Sequence, residues 1–316
     1  MRILFLGGTG LTGPYAVRRL DGLGHDVTVF HRGDHEAELP EGVRHVHGHF
    51  AHPPREILYA RFDAVVHMRA MTSDDAERFI EAFRPVAGRV VLVSSGDVYR
   101  AYGRFLRLES GPPDPKPLTE GAPLRESRYP YRDAAPDKEH WMARYDKILV
   151  EQVVMNQAYV PWSIPRFPAV AGPGEYGRFS KWLQPMLRGD RELRVQAGWA
   201  DWRWTHGFAE DVAEAVVLAA LDPSAKNRIY NVGESSTPTM MERLAAFARA
   251  ADWRGEIMAV PAAELDEANR MPYDFDHHLV YDTSRIRNEL GYREVVGYEQ
   301  SLSRMIETER EALHTQ

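Results

Sequence analysis

The stretch Arg2-Ile3-Leu4-Phe5-Leu6-Gly7-Gly8-Thr9-Gly10-Leu11-Thr12-Gly13-Pro14 decides the fold. A short apolar run enters a glycine cluster, which suits a strand buried in a parallel sheet. Beyond Gly13 the period changes. Ala16, Val17, Leu20 and Leu23 recur on one helical side, Pro14 fits a first turn that needs no N–H, and Gly24 suits the stop. Asp26–Phe30 (DVTVF) reads as a second strand, so the chain opens with a βαβ unit.

The glycines divide the labour of a phosphate-binding loop. Gly7 permits the tight exit from the strand, Gly10 leaves the backbone bare for a pyrophosphate, and Gly13 lets the helix approach the sheet. The helix N-terminus then offers free N–H groups and the positive end of its dipole. A carboxylate about 20 residues on would hold the ribose of NAD. Instead the strand ends Phe30-His31-Arg32-Gly33, with Arg32 19 residues beyond Gly13. A guanidinium there, assisted by His31, would bind a 2′-phosphate, which favours NADP over NAD. The alternatives are a solvated Arg32, or Asp34 reaching back to the ribose.

The alternation continues through Asp63–His67 (strand), Asp74–Phe83 (helix) and Arg89–Ser94 (strand), predicting an α/β, Rossmann-type doubly wound parallel sheet. Residues 100–136 break the rhythm with Pro, Gly and charge, and read as an excursion over a pocket. A helix is expected at about 137–158 and a strand near Ser163–Phe167. Further on come a helix at Ala209–Leu221, a strand at Arg228–Val232, and helices at Met240–Ala251 and Ser301–Leu313. We expect a dinucleotide domain over 1–165 and a smaller substrate domain over 166–316, with some segments of the latter returning to the first core.

Length and composition agree. A chain of 316 residues holds one large domain or two joined ones. A net charge of −7 disfavours nucleic acid as the main partner. The absence of cysteine excludes a disulfide scaffold, a thiol nucleophile and thiolate metal sites. No apolar run reaches membrane-spanning length, and Ile3–Leu6 is too short for a signal peptide, so a cytoplasmic location is expected.

Later segments resemble the extended short-chain dehydrogenase/reductases, the NAD-dependent epimerase/dehydratase family. Gly7–Gly13 is similar to that family's GxxGxxG and Asp63–His67 to its DxVIH, with Met68-Arg69-Ala70 where LAA is usual. Ser94–Tyr99 resembles SSxxVY, Lys147–Glu151 KxxxE, and Arg166–Gly174 (including Pro168) RPxxVYGPG. His206–Ala213 resembles HVxDVA and Tyr230–Gly233 YNVG. The resemblance implies hydride transfer at a carbinol or ketone of a small substrate, such as a sugar or nucleotide sugar. It implies cofactor contacts from Gly7, Thr9, Gly10, Leu11, Thr12, Gly13, His31, Arg32, Met68, Lys147 and Pro168. It also leaves a homodimer open.

The family's catalytic tyrosine stands four residues before its lysine. Here Ala143 holds that place, and no lysine in the chain has Tyr at i−4. Tyr145 precedes Lys147 by two, which on a continuous helix is about 200° around; it reaches the site only if the helix starts late or bulges. Three readings follow. Ser95 and Lys147 persist while another group carries the proton, Asp97 or Tyr145 first and Tyr102, Tyr131 or His140 after them. Or an activated substrate needs little proton transfer. Or the chain is a noncatalytic NADP-binding regulator or RNA-associated protein.

His45, His47, His49 and His52 invite a metal, but the first three alternate as on one strand face with no carboxylate among them. No metal is expected. Trp199, Trp202 and Trp204 read equally as a stacking surface or as core.

Overall fold

The computed structural model describes residues 1–175 and 177–314. Its strands are β1 (Arg2–Leu6), β2 (Asp26–His31), β3 (Arg44–His47), β4 (Ala64–His67), β5 (Val90–Leu92), β6 (Ser94–Ser95), β7 (Trp162–Phe167), β8 (Ala169–Ala171), β9 (Glu192–Gln196), β10 (His206–Phe208), β11 (Arg228–Asn231) and β12 (Glu256–Val260). Its helices are α1 (Gly13–Gly22), α2 (Arg55–Leu58), α3 (Ser73–Phe83), α4 (Arg100–Phe105), α5 (Lys147–Asn156), α6 (Ser180–Arg188), α7 (Ala197–Asp201), α8 (Ala209–Leu221), α9 (Met240–Ala250), α10 (Ser284–Leu290) and α11 (Tyr298–His314).

The central sheet runs β3-β2-β1-β4-β5-β7-β11, with β6 paired to β7, and every pairing is parallel. This is the doubly wound order, and its direction reverses between β1 and β4. One face of the sheet buries Leu4, Leu6, Phe30, Val65 and Leu92 against Phe79, Ile80 and Phe83 of α3 and Val150 of α5. The other buries Ile3, Phe5, Val29 and Val91 against Val17 and Leu20 of α1 and Val216 and Ala220 of α8. Strands covered on both faces need continuous apolar runs, which β1 and β4 carry.

The second half builds a separate core around Trp182, Trp199, Trp202, Phe247 and Phe275. Trp182 stacks on Trp199 at 4.2 Å, and Trp202 on Phe105 at 4.5 Å. Packing is therefore the role of Trp199 and Trp202. The expected domain boundary after residue 165 falls inside β7, and α8 and β11 return to the central sheet.

Two local differences from expectation matter for function. The helix expected from about 137 begins only at Lys147, after a 3-10 turn at Trp141–Ala143. Asp146 is its N-cap: the carboxylate accepts from Ile148 N at 3.0 Å, from Tyr129 N at 2.9 Å and from Arg125 at 3.3 Å. A capping carboxylate held by two distant groups ends the helix there. The excursion is also ordered by burial rather than left as a linker. Leu118, Glu120 and Arg125 are buried, and Leu118 N donates to Val280 O at 2.7 Å.

Candidate active site

The loop between β1 and α1 opens at the reversal of strand order. Gly7 has φ +80°, the left-handed turn that glycine tolerates. A Cβ on Gly13 would sit 2.4 Å from Gly8 O, so helix and loop touch there only because position 13 has no side chain. A Cβ on Gly10 would meet nothing within 4 Å; that residue faces open space. Thr12 caps α1 without a side-chain bond, which leaves the first-turn N–H groups available. Thr9 and Leu11 are half-buried beside them.

A groove of about 230 Å³ adjoins the loop, lined by Leu6, Arg32, Phe50, His67, Arg69 and Trp141 among others. Arg32 is already paired to Asp34 at 2.8 Å. His31 does not line this groove. It is buried with its ring against His45 and His47, on the sheet face that Val29 shares. Met68 extends the β4 end, its N–H donating to Leu6 O at 3.0 Å. Pro168 is buried beside Gly207 and Gly233.

At the ends of β5 and β6 the structure brings Ser95, Asp97, Tyr145 and Lys147 together. Tyr145 belongs to the extended turn before α5, so its two-residue spacing from Lys147 does not send it around a helix. Its hydroxyl donates to Asp97 Oδ2 at 2.7 Å and also interacts with the Ser95 hydroxyl. Tyr131, from the excursion, donates to the same oxygen at 3.1 Å, and its hydroxyl lies 2.8 Å from that of Tyr102. Asp97 Oδ1 is buried and has no hydrogen-bond partner among the described residues. Ser95 caps the turn at Gly96–Val98, its hydroxyl 3.3 Å from Asp97 N. His140 stays outside this group, capping the turn at Trp141.

Burial dominates the electrostatics. It pushes the Asp97 carboxyl up, against the pull of Arg125, Tyr145, Lys147 and Tyr131. It likewise drives the Tyr145 phenol well above 10, and the negative charge of Asp97 adds to that. Lys147 is fully enclosed, and desolvation lowers it from 10.5 to about 8 despite Asp97. Its ammonium donates to Ala70 O at 2.6 Å and Val93 O at 3.0 Å, using two of its three N–H groups. His67, also enclosed, is held neutral, with a pKa near 3, by desolvation and then by Lys147.

Behind this group lies one buried polar network. Glu151 accepts from Ser94 at 2.6 Å and pairs with Arg166 at 2.7 and 2.8 Å. Arg166 also donates to the Tyr99 hydroxyl at 3.0 Å, and Tyr99 donates to Asn231 Oδ1. Asn231 N bonds Glu120 at 2.9 Å. Four of the motif segments, around Ser94, Lys147, Arg166 and Asn231, thus meet in hydrogen bonds. Sequence reasoning missed Arg125 and Asp146, because nothing local marks either one.

Near the β2 end, His45 and His47 do share a strand face, as their alternation implied. A carboxylate nevertheless reaches them: Glu36, from the following loop, lies 2.9 Å from His47 Nε2. Strand register brings His31 into the same cluster, so three histidines and one carboxylate converge where the sequence spacing gives no carboxylate.

Known proteins resemble the chain along most of its length. It is 22% identical over 310 residues to the chloroplast stem-loop binding protein of 41 kDa b of Arabidopsis thaliana, covering 92% of this chain and 75% of that one. It is 29% identical over 233 residues to the 2'-dehydrokanamycin reductase of Streptomyces kanamyceticus, covering 69% of this chain and 58% of that one. A short-chain dehydrogenase/reductase superfamily protein from Agrobacterium tumefaciens, solved with bound NAD, shares the fold. Its TM-score is 0.71 at 19% identity, over 100% of this chain and 99% of that one. No helix among the described residues is long and apolar enough to cross a membrane. The model of the NAD dependent epimerase/dehydratase family matches residues 3–233, through the glycine loop, the Ser95–Lys147 group and the buried network; the chain belongs to that family.

Proposed function

We propose that the protein is a nicotinamide-dinucleotide-dependent enzyme acting on a small carbonyl or hydroxyl compound of the sugar class, with the Asp97–Tyr145 pair carrying the proton. The observation that supports this most is the Asp97 carboxylate. One oxygen takes two tyrosine hydroxyls, and the other is buried with no partner among the described residues. An unpartnered buried acceptor is costly unless a ligand group meets it. A substrate hydroxyl is such a group, with Ser95 holding its oxygen. The raised carboxyl brings Asp97 nearer to neutral pH, where proton transfer works in both directions.

The residues at the glycine loop fit a dinucleotide. Gly10 is bare, Gly7 turns the chain, and α1 presents uncapped N–H groups. Lys147 would give its third N–H to the nicotinamide ribose. When bound, the nicotinamide supplies the hydride acceptor or donor, and the protein's task is to orient the carbinol carbon and move its proton. Arg32 supports NADP, but its pairing with Asp34 means a 2′-phosphate must displace a carboxylate, while a ribose diol would find one. NAD and NADP are therefore both candidates.

The test titrates the protein with NADH and NADPH separately, reading energy transfer from tryptophan. Nicotinamide absorbance then follows turnover with a panel of nucleotide sugars and aldoses. Asp97→Asn and Tyr145→Phe should each lower kcat by about 100-fold or more while leaving dinucleotide affinity in place. Binding of neither dinucleotide overturns the proposal. Arg32→Ala should weaken NADPH more than NADH, and equal losses remove Arg32 from 2′-phosphate recognition.

A second reading has one observation in its favour: a relative covering 92% of the chain is named a stem-loop binding protein. The net charge of −7 weighs against it. Salt-sensitive retention of a labelled RNA hairpin, without dinucleotide turnover, would favour it.

A further inference from the structure

We infer that His31, Glu36, His45 and His47 form a four-ligand site for a divalent transition metal of the zinc class. Each offers one ligand atom, and the four atoms lie within 4.8 Å of one another. His31 Nε2 is 3.2 Å from His45 Nδ1, and His47 Nε2 is 2.9 Å from Glu36 Oε1. The second Glu36 oxygen is 3.8 Å from both His31 Nε2 and His45 Nδ1. Tetrahedral zinc with bonds of about 2.0–2.1 Å sets its ligand atoms roughly 3.3 Å apart. The observed separations, 2.9 to 3.8 Å for these pairs and at most 4.8 Å for any, span that edge, so side-chain adjustment with Glu36 presenting one oxygen would enclose a metal.

The fold explains the convergence. Parallel pairing of β2 with β3 places His31 beside His47, and the two-residue strand period puts His45 on the same face. Gly33, at φ +86°, turns the chain back so that Glu36 returns over that face. A side chain at that φ would be strained, so the return favours glycine. The ring of His31 is buried, while those of His45 and His47 and the Glu36 carboxylate are partly open, which leaves a path for an ion.

Donor chemistry selects the ion. Three imidazole nitrogens and one carboxylate suit zinc, cobalt, nickel or copper, and not calcium or magnesium, which demand oxygen. Four protein ligands leave no open position, as in structural centres. The ion would pin the loop after β2 to β3, the edge strand of the sheet. This site does not depend on the dinucleotide reading and survives its failure.

The experiment uses full-length protein without an affinity tag, stripped with chelator and titrated with Co²⁺. We expect one saturable equivalent with the intense visible absorption of tetrahedral cobalt, displaced by Zn²⁺. Thermal unfolding should shift upward in Zn²⁺ and return with chelator. His47→Ala and Glu36→Gln lie at half-exposed positions, so both should fold; His47→Ala should weaken binding by about 100-fold and Glu36→Gln by about 10-fold. His49→Ala with His52→Ala, just outside the cluster, should leave it unchanged. A pale six-coordinate spectrum, no saturation, or undiminished binding in a Glu36→Gln, His47→Ala double variant overturns the site. So does loss of binding through His49 and His52 instead.

Discussion

Lys147→Met separates what the buried lysine does for a ligand from what it costs the fold. Enclosure brings its pKa from 10.5 to about 8 in the folded protein, whereas the unfolded chain keeps the ordinary value. Between those two values the unfolded chain holds a proton that the folded chain has released. Stability contributed by this group therefore rises with pH across the window. The displacement corresponds to about 3 kcal/mol. Below about pH 8 the wild-type protein bears that cost in full, and near pH 10.5 it has gone. Methionine has no such window. The difference in unfolding free energy, wild type minus variant, should climb by about 3 kcal/mol from pH 7 to pH 10.5. This holds whatever the offset at pH 7, where the variant also loses the bonds to Ala70 O and Val93 O. Urea unfolding at matched pH measures it, and tyrosines that titrate in both proteins cancel. A difference flat to within about 0.5 kcal/mol refutes the buried-cation argument. At pH 7 the variant should bind NADH about 10- to 100-fold more weakly, the worth of a charged hydrogen bond; unchanged affinity would remove Lys147 from the ribose.

Two further expectations concern the frame. Glu151→Gln removes the charge opposite buried Arg166 and should cost about 3–5 kcal/mol, whereas Glu151→Leu combined with Arg166→Met should recover most of it; denaturant midpoints of the set decide, and equal losses would contradict the pairing. In the glycine loop, Gly10→Ala should keep stability within about 0.5 kcal/mol and lose dinucleotide affinity. Gly13→Ala should lower the melting temperature, because its Cβ meets the Gly8 carbonyl. If the two glycine variants behave alike, the division of labour in the loop is wrong.

What the sequence disclosed and what it hid follow one physical division. The β1–α1–β2 unit was legible because each signal, the apolar run, the glycines and the helical period, is local. β3 carries only the alternation of its histidines: it is RHVH, an edge strand with one buried residue and no apolar pattern. Tyr145 was left undecided between two faces because its position depends on where α5 begins. That start is set by Asp146, which is held from Arg125 and Tyr129, about twenty residues away and in a segment with no period. The histidine cluster is hidden from the sequence for the same reason. Its carboxylate, Glu36, arrives by a loop, and His31 by strand register.

The network joining Ser94, Glu151, Arg166, Tyr99, Asn231 and Glu120 bears on how such a chain can diverge. Each member is buried and answers at least one other, so a single exchange strands a charge or a lone pair. Change there has to be concerted, because replacing one partner alone leaves another buried and unsatisfied. Tyr145, whose hydroxyl is bonded to Asp97, has no hydrogen bond to any member of that network among the described residues. Its place beside Asp97, two residues before Lys147, follows from where α5 begins and draws on none of the bonds of the interlocked frame. The bonds that tie the motif segments together are thus separate from the pair proposed to carry the proton.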